Sequence, residues 1–164
     1  MNRYVLDSDV TIALELVAAG SNLGRRPLPV VVTDVVWDEL HAPGDPHNRA
    51  RTFAQNIAGS VTELAPDSAE AETFLSLQAT PKTEGPGEHS VIAYCYHHLD
   101  TIAVLQDKGA LRRAIEELRG RILSFHGFLA ALVAEGHIGW EEATVIAARY
   151  RRQYVQSRLP VWWP

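Results

Sequence analysis

Asp7 and Asp9 close a short apolar run, YVLDSDVT at residues 4–11, with one residue between the two acids. That spacing suits two chemistries. In an Asp-x-Asp-x-Thr phosphatase the first carboxylate attacks phosphorus and the second moves protons. In a metal-dependent nuclease the same carboxylates hold a divalent ion. The remaining acids decide between them.

Asp107 follows a second apolar run, TIAVLQ at 101–106, just as Asp7 follows the first. Each also suits the N-cap of the helix after it, a purely structural role. In TDVVWDELH (33–41), Glu39 stands four residues after Val35, three after Val36 and beside Leu40. It therefore lies at the edge of an apolar helical stripe, with Asp34 and Asp38 on the opposite side. In GEHSVIAYCYHHL (87–99), Glu88 precedes Val91 by three and Ile92 by four, on the stripe of Cys95. A carboxylate turned toward a core must be paired, protonated or bound to metal. The bland alternative is a first-turn acid that snorkels outward and favours the helix dipole; it suits Glu88 better than Glu39.

Four acids in one cleft would repel, each pair by about 4 kcal/mol at 4 Å and an effective dielectric near 20. Hard divalent cations such as Mg²⁺ or Mn²⁺ relieve that repulsion and accept all-oxygen ligands. No thiolate set or paired-histidine spacing competes for the ion; the seven histidines are scattered, and His97-His98 reads as the exposed end of a helix.

The elements that must carry these residues alternate. Tyr4–Leu6, Val30–Val32, Val61–Leu64, 101–106 and 121–124 read as strands. Between them helices are expected from Asp9 to near Gly20, over 34–41 with Thr33 as N-cap, over 47–58, from Pro66 to Gln78, over 88–99 and over 108–118. Two more follow, at about 127–135 and 140–155, whereas TPKTEGPG (80–87) reads as loop. Strand–helix alternation predicts an α/β fold, a parallel sheet in three α/β/α layers with the site at the carboxyl ends of the strands. One domain over 1–155 and a C-terminal tail over 156–164 are expected.

Composition agrees. The chain has 164 residues, 46% hydrophobic and 21% charged, as a folded domain should. No apolar run approaches the roughly 20 residues of a membrane helix, so no membrane partner is expected, and the N-terminus has no signal-peptide layout. A single cysteine excludes a disulfide framework and suits a reducing cytoplasm. The net charge of −5 is uneven: residues 1–107 carry 6 Lys/Arg and 15 Asp/Glu, and residues 108–164 carry 9 and 5. An acidic pocket beside a basic surface would draw phosphate, although solvated helix faces give the same tally.

With Asp7, Glu39, Glu88 and Asp107 in this order, the chain resembles the PIN-domain ribonucleases, a family that includes the VapC-like toxins of toxin–antitoxin pairs. VLDSDVTIAL, VVVTDVVWDEL, GEHSVIAYCYHHLD and VLQDKGALRRA are similar to its four acidic motifs, and SFHGFLAALVAEGHI to its later glycine-bearing helix. The resemblance spans most of residues 3–155. It implies a parallel sheet of about five strands and Mg²⁺- or Mn²⁺-dependent endoribonuclease activity. It also implies an RNA substrate, homodimers and, for toxins, a small antitoxin protein. Relatives often carry two successive acids where this chain has Gln106-Asp107, and glycine where Ser124 stands. Ser124 is accordingly either an accessory ligand or the cap of the next helix. Asp9 is either a water-mediated ligand or the cap of the first helix. Lys108 and Arg112, four apart on the helix after Asp107, are the candidate RNA contacts, although as surface residues they need no function; such contacts position phosphates and read no sequence.

Two rivals stand beside this reading. In a haloacid-dehalogenase-like phosphatase, Asp7 would be the nucleophile, Asp9 the acid/base, Thr33 the strand-end hydroxyl, Lys82 the cation and Asp107 a Mg²⁺ ligand. That reading leaves Glu39 and Glu88 idle and expects a turn and flap where TIALELVAAG reads as helix. A catalytically inactive PIN-like domain that binds only RNA or protein would keep the fold without the chemistry; Trp162 and Trp163 would then anchor a partner or pack the C-terminus.

Overall fold

A computed structural model of the chain describes residues 2–79, 85–106 and 108–154, with only the main chain of Lys108. Asp107, Lys82 and the tail expected over 156–164, with its two tryptophans, lie outside the described residues.

Short β-branched runs form the sheet. Strands β1 (Arg3–Leu6), β2 (Val30–Thr33), β3 (Val61–Thr62), β4 (Thr101–Val104) and β5 (Ile122–Leu123) are all parallel, in the order β3-β2-β1-β4-β5. Tyr4 pairs with Val30 on one side of β1, and Arg3 with Thr101 on the other. Val5, Leu6, Ala103 and Val104 are wholly buried, as strands covered on both faces must be.

Among the described residues there are eight helices, six between strands and two after β5. Helices α1 (Ser8–Val17), α3 (Asp45–Ala58), α7 (Phe125–Ala134) and α8 (Trp140–Gln153) pack together against one face. Helices α4 (Ala69–Ala79), α5 (Pro86–His97) and α6 (Lys108–Leu118) pack on the other, and the short α2 (Asp34–Glu39) bridges α1 and α5. Right-handed crossovers produce this division: the chain winds outward from β1 to β3, then α4 and α5 carry it back across β1 to β4. The expected three-layer α/β/α architecture with five parallel strands is the one observed.

The structure moves several element boundaries by one to three residues, three of them with a clear local cause. Helix α4 starts at Ala69 rather than Pro66, because the Ser68 hydroxyl accepts the Ala71 N–H at 3.1 Å and caps the first turn. Helix α5 starts at Pro86, two residues inside the expected loop, since proline's fixed φ suits the first helical turn. The cap of α1 is Asp7 and not Asp9: Val10 N–H donates to Asp7 Oδ1 at 2.7 Å. Thr33 caps α2 as expected, accepting Val36 N–H at 3.2 Å. His97 and His98 are also more engaged than a free helix end. Thr73 Oγ1 lies 2.7 Å from His97 Nε2, and His98 Nε2 lies 2.9 Å from Glu70.

No helix among the described residues is long and apolar enough to cross a membrane.

Candidate metal centre

In the order β3-β2-β1-β4-β5 the direction of winding reverses at β1 and β4, and the crevice at their carboxyl ends is where such sheets bind ligands. Asp7 follows β1 at that edge. Its backbone is extended and its side chain turns back to cap α1, which leaves it 1% exposed. Oδ1 takes the Val10 amide. Oδ2, equally buried, has no hydrogen-bond partner among the described residues.

Two further carboxylates converge on it. Asp9, in the first turn of α1, and Glu88, in the first turn of α5, each place a carboxylate oxygen within 4.8 Å of one another and of Asp7. Asp9 is exposed, Glu88 half-buried. The start of α5 is fixed by a relay: Thr33 Oγ1 and Ser90 Oγ lie 2.7 Å apart, and Ser90 Oγ donates to Gly87 O at 2.7 Å. With its proton spent on Gly87, Ser90 accepts from Thr33, whose lone pairs take the Val36 amide. The end of β2 thereby sets the position of Glu88.

Glu39 stands next to this group. Its Oε2 accepts the Ser8 hydroxyl at 2.5 Å and its Oε1 the Gly87 N–H at 2.8 Å, so it ties α2 to the starts of both α1 and α5. A Cβ on residue 87 would lie only 2.9 Å from Glu39 Cδ, so glycine there admits the carboxylate. The negative charge of Glu39 reaches Asp7 and Glu88, but its oxygens lie outside the three-carboxylate group.

The electrostatics are those of crowded acids. Burial holds the Asp7 carboxyl well above the ordinary carboxylate range, against the Val10 hydrogen bond, and the charges of Asp9, Glu88 and Glu39 push the same way. Burial is also the main cause that raises Glu88, with Asp9 and Glu39 adding repulsion.

Of the residues singled out by sequence, the fold thus gathers Asp7, Asp9 and Glu88, and sets Glu39 beside them. Asp107 and the side chain of Lys108 lie outside the described residues. Arg112 is exposed on α6. Ser124 caps α7, accepting Gly127 N–H at 3.2 Å. Sequence reasoning passed over Ser8 and Gly87. Ser8 sits in plain view between two acids, which was a signal. Gly87 fell in the expected loop, where a glycine draws no notice, and its place inside α5 became visible only in the structure.

The donor set suits a hard cation: three carboxylates, one with a buried oxygen free to bind, and no sulfur or imidazole in the group. The triad could hold a metal ion. Comparison with protein-family models, with curated proteins and with solved structures finds no match to this chain.

Proposed function

We propose that this chain is a PIN-like, Mg²⁺- or Mn²⁺-dependent endoribonuclease. The observation that carries the reading is the meeting of Asp7, Asp9 and Glu88 at the carboxyl edge of the sheet, with Asp7 Oδ2 buried and unbonded. The ordered acidic motifs support it from the sequence side.

In this reading Asp7, Asp9 and Glu88 hold the ion, Glu39 fixes the mouth of the site, and Asp107 joins the set as the family resemblance implies. A divalent ion there supplies neutralisation of phosphodiester charge and a water of lowered pKa. Asp7, locked by the Val10 amide, presents its free oxygen from a position that costs no reorganisation. Water adds in line to phosphorus and the bond to the 3′-oxygen breaks. The products are a 3′-hydroxyl and a 5′-phosphate. Arg112, with Lys108, would steer the phosphate backbone toward the acids. The toxin branch of the family further suggests a homodimer and a small antitoxin partner.

The phosphatase rival is opposed by one observation: α1 begins at Ser8, immediately after Asp7, leaving no turn or flap between the motif and the helix.

The test is Mn²⁺-dependent cleavage of single-stranded RNA. Asp7→Asn keeps an oxygen for the Val10 amide, and Glu88→Gln keeps its shape. Each is expected to lower the rate at least about 100-fold, the upper end of what losing even an outer-shell partner of a metal ligand costs, with circular dichroism unchanged. Phosphate release from p-nitrophenyl phosphate through an aspartyl-phosphate at Asp7 would install the rival. RNA binding without cleavage at any divalent ion would install the inactive domain.

A further inference from the structure

The path of α7 and α8 puts an aromatic side chain above the acidic edge. Helix α7 starts there, directly after Ser124 at the end of β5. It ends at the opposite edge, where Glu135 Oε1 accepts the Tyr4 hydroxyl at 2.5 Å. Helix α8 then returns. At its start, Glu142 accepts Asn22 N–H at 2.8 Å, and further along Arg149 donates to Val17 O at 3.2 Å and to Ala19 O. These bonds lay α8 along the end of α1 in the opposite sense, so α8 runs back toward the acidic edge.

The rings confirm that alignment. Phe125, the first residue of α7, stacks on Tyr150, near the end of α8, with centroids 3.9 Å apart and planes 5° from parallel. Tyr150 therefore stands level with the carboxyl edge of the sheet. Tyr154 is one turn further, about 6 Å along the axis, with its centroid 4.7 Å from that of Tyr150. It is half-buried and rests on the core. Burial raises its phenol, and the charge of Asp9 raises it further, which places the two within electrostatic reach.

Resting on the nuclease reading above, we propose that Tyr154 is a stacking platform for one nucleobase of a single-stranded substrate whose neighbouring phosphate lies over the acids. A base is free to lie on an aromatic ring only when it is not stacked in a duplex, so single strands, loops and bulges are the preferred RNA class. The ladder Phe125–Tyr150–Tyr154 holds the platform rigid, which limits the entropy lost on binding. Stacking tolerates any base, so this residue sets the register of the strand over the acids rather than its sequence. Tyr154 is a positioning residue here, not a catalytic one.

A chemical double-mutant cycle tests this. Short single-stranded RNAs, each with one abasic site at a different position, are titrated by fluorescence anisotropy with Ca²⁺ in place of Mn²⁺, and cleaved in parallel with Mn²⁺. Tyr154→Ala is expected to weaken binding of the intact strand at least about fivefold, mainly through KM, and Tyr154→Phe to restore it. One abasic position should weaken wild-type binding equally and cost Tyr154→Ala nothing more. If Tyr154→Ala binds and cleaves like wild type, or loses the same factor with intact and abasic strands at every position, the platform is refuted while the nuclease reading stands. If wild type neither binds nor cleaves RNA, both fall.

Discussion

Gly87 shows how much a single missing Cβ decides. Its N–H donates to Glu39 Oε1, and a Cβ would run into the same carboxylate. Replacing glycine by alanine inside a helix usually gains about 1 kcal/mol of propensity. Here the gain is overridden, because overpacking costs roughly 1–3 kcal/mol and Glu39 must leave Ser8 to make room. Gly87→Ala is expected to lower the urea midpoint and to slow RNA cleavage, with Glu39→Gln recovering no more than part of the rate. A protein stabilised by Gly87→Ala would show that the Glu39 carboxylate is not held where it stands. Glu39 was legible from the sequence only as an acid at the edge of an apolar stripe. Its bracing bonds were not, because they join residues 31 and 48 positions apart in the chain.

At the scale of elements, periodicity and caps carried most of the reading. The period of apolar residues and Thr33 marked α2, and β-branched runs marked the strands. The reading faltered where one residue type can serve two ends. Pro66 is expected to open a helix and Pro86 to lie in a loop; the structure reverses the two, because Ser68 supplies the cap of α4 and Pro86 opens α5. The two acids of DSD likewise compete for one cap, and the backbone gives it to Asp7, leaving Asp9 to turn toward Glu88. Ser124 was open between ligand and cap, and the Gly127 amide takes its oxygen. Ser124→Ala should therefore cost about 1 kcal/mol of stability, read from a denaturation midpoint. RNA cleavage per folded molecule should stay unchanged. A large loss of rate with normal stability would return Ser124 to the site.

For the whole molecule, the crowded acids impose a dependence on pH and metal. Asp7 and Glu88 hold their protons in the folded state to a higher pH than in the unfolded chain. Through these two groups the folded protein binds more protons than the unfolded chain as pH climbs from about 4, so their contribution to stability in EDTA falls with rising pH. His126, held by burial down to about 4, adds stability as pH rises toward 6.5. Asp100, lowered by Arg3, and Glu70, lowered by a backbone hydrogen bond and by His98, also act in the opposite sense to Asp7 and Glu88. Asp100 is exposed and Glu70 part-buried near the surface, where such pairs contribute little. Metal binds the deprotonated acids, so Mn²⁺ is expected to raise the melting temperature more at pH 8 than at pH 5, and Asp7→Asn to shrink both the slope and the metal shift. Equal shifts at the two pH values, or none, would remove the acids from ion binding. The layer order, strand direction and winding reversal were legible in the alternation of elements. The tightness of the triad was not, because it depends on how closely α5 seats on β2 through Thr33 and Ser90.

The pairing of Arg3 with Thr101 has a consequence during synthesis. Strand β1 waits for this neighbour through nearly a hundred residues of chain, and Glu88 is made only shortly before it. Until β4 docks, that side of β1 is an open sheet edge, and the order of the sheet leaves it open longest.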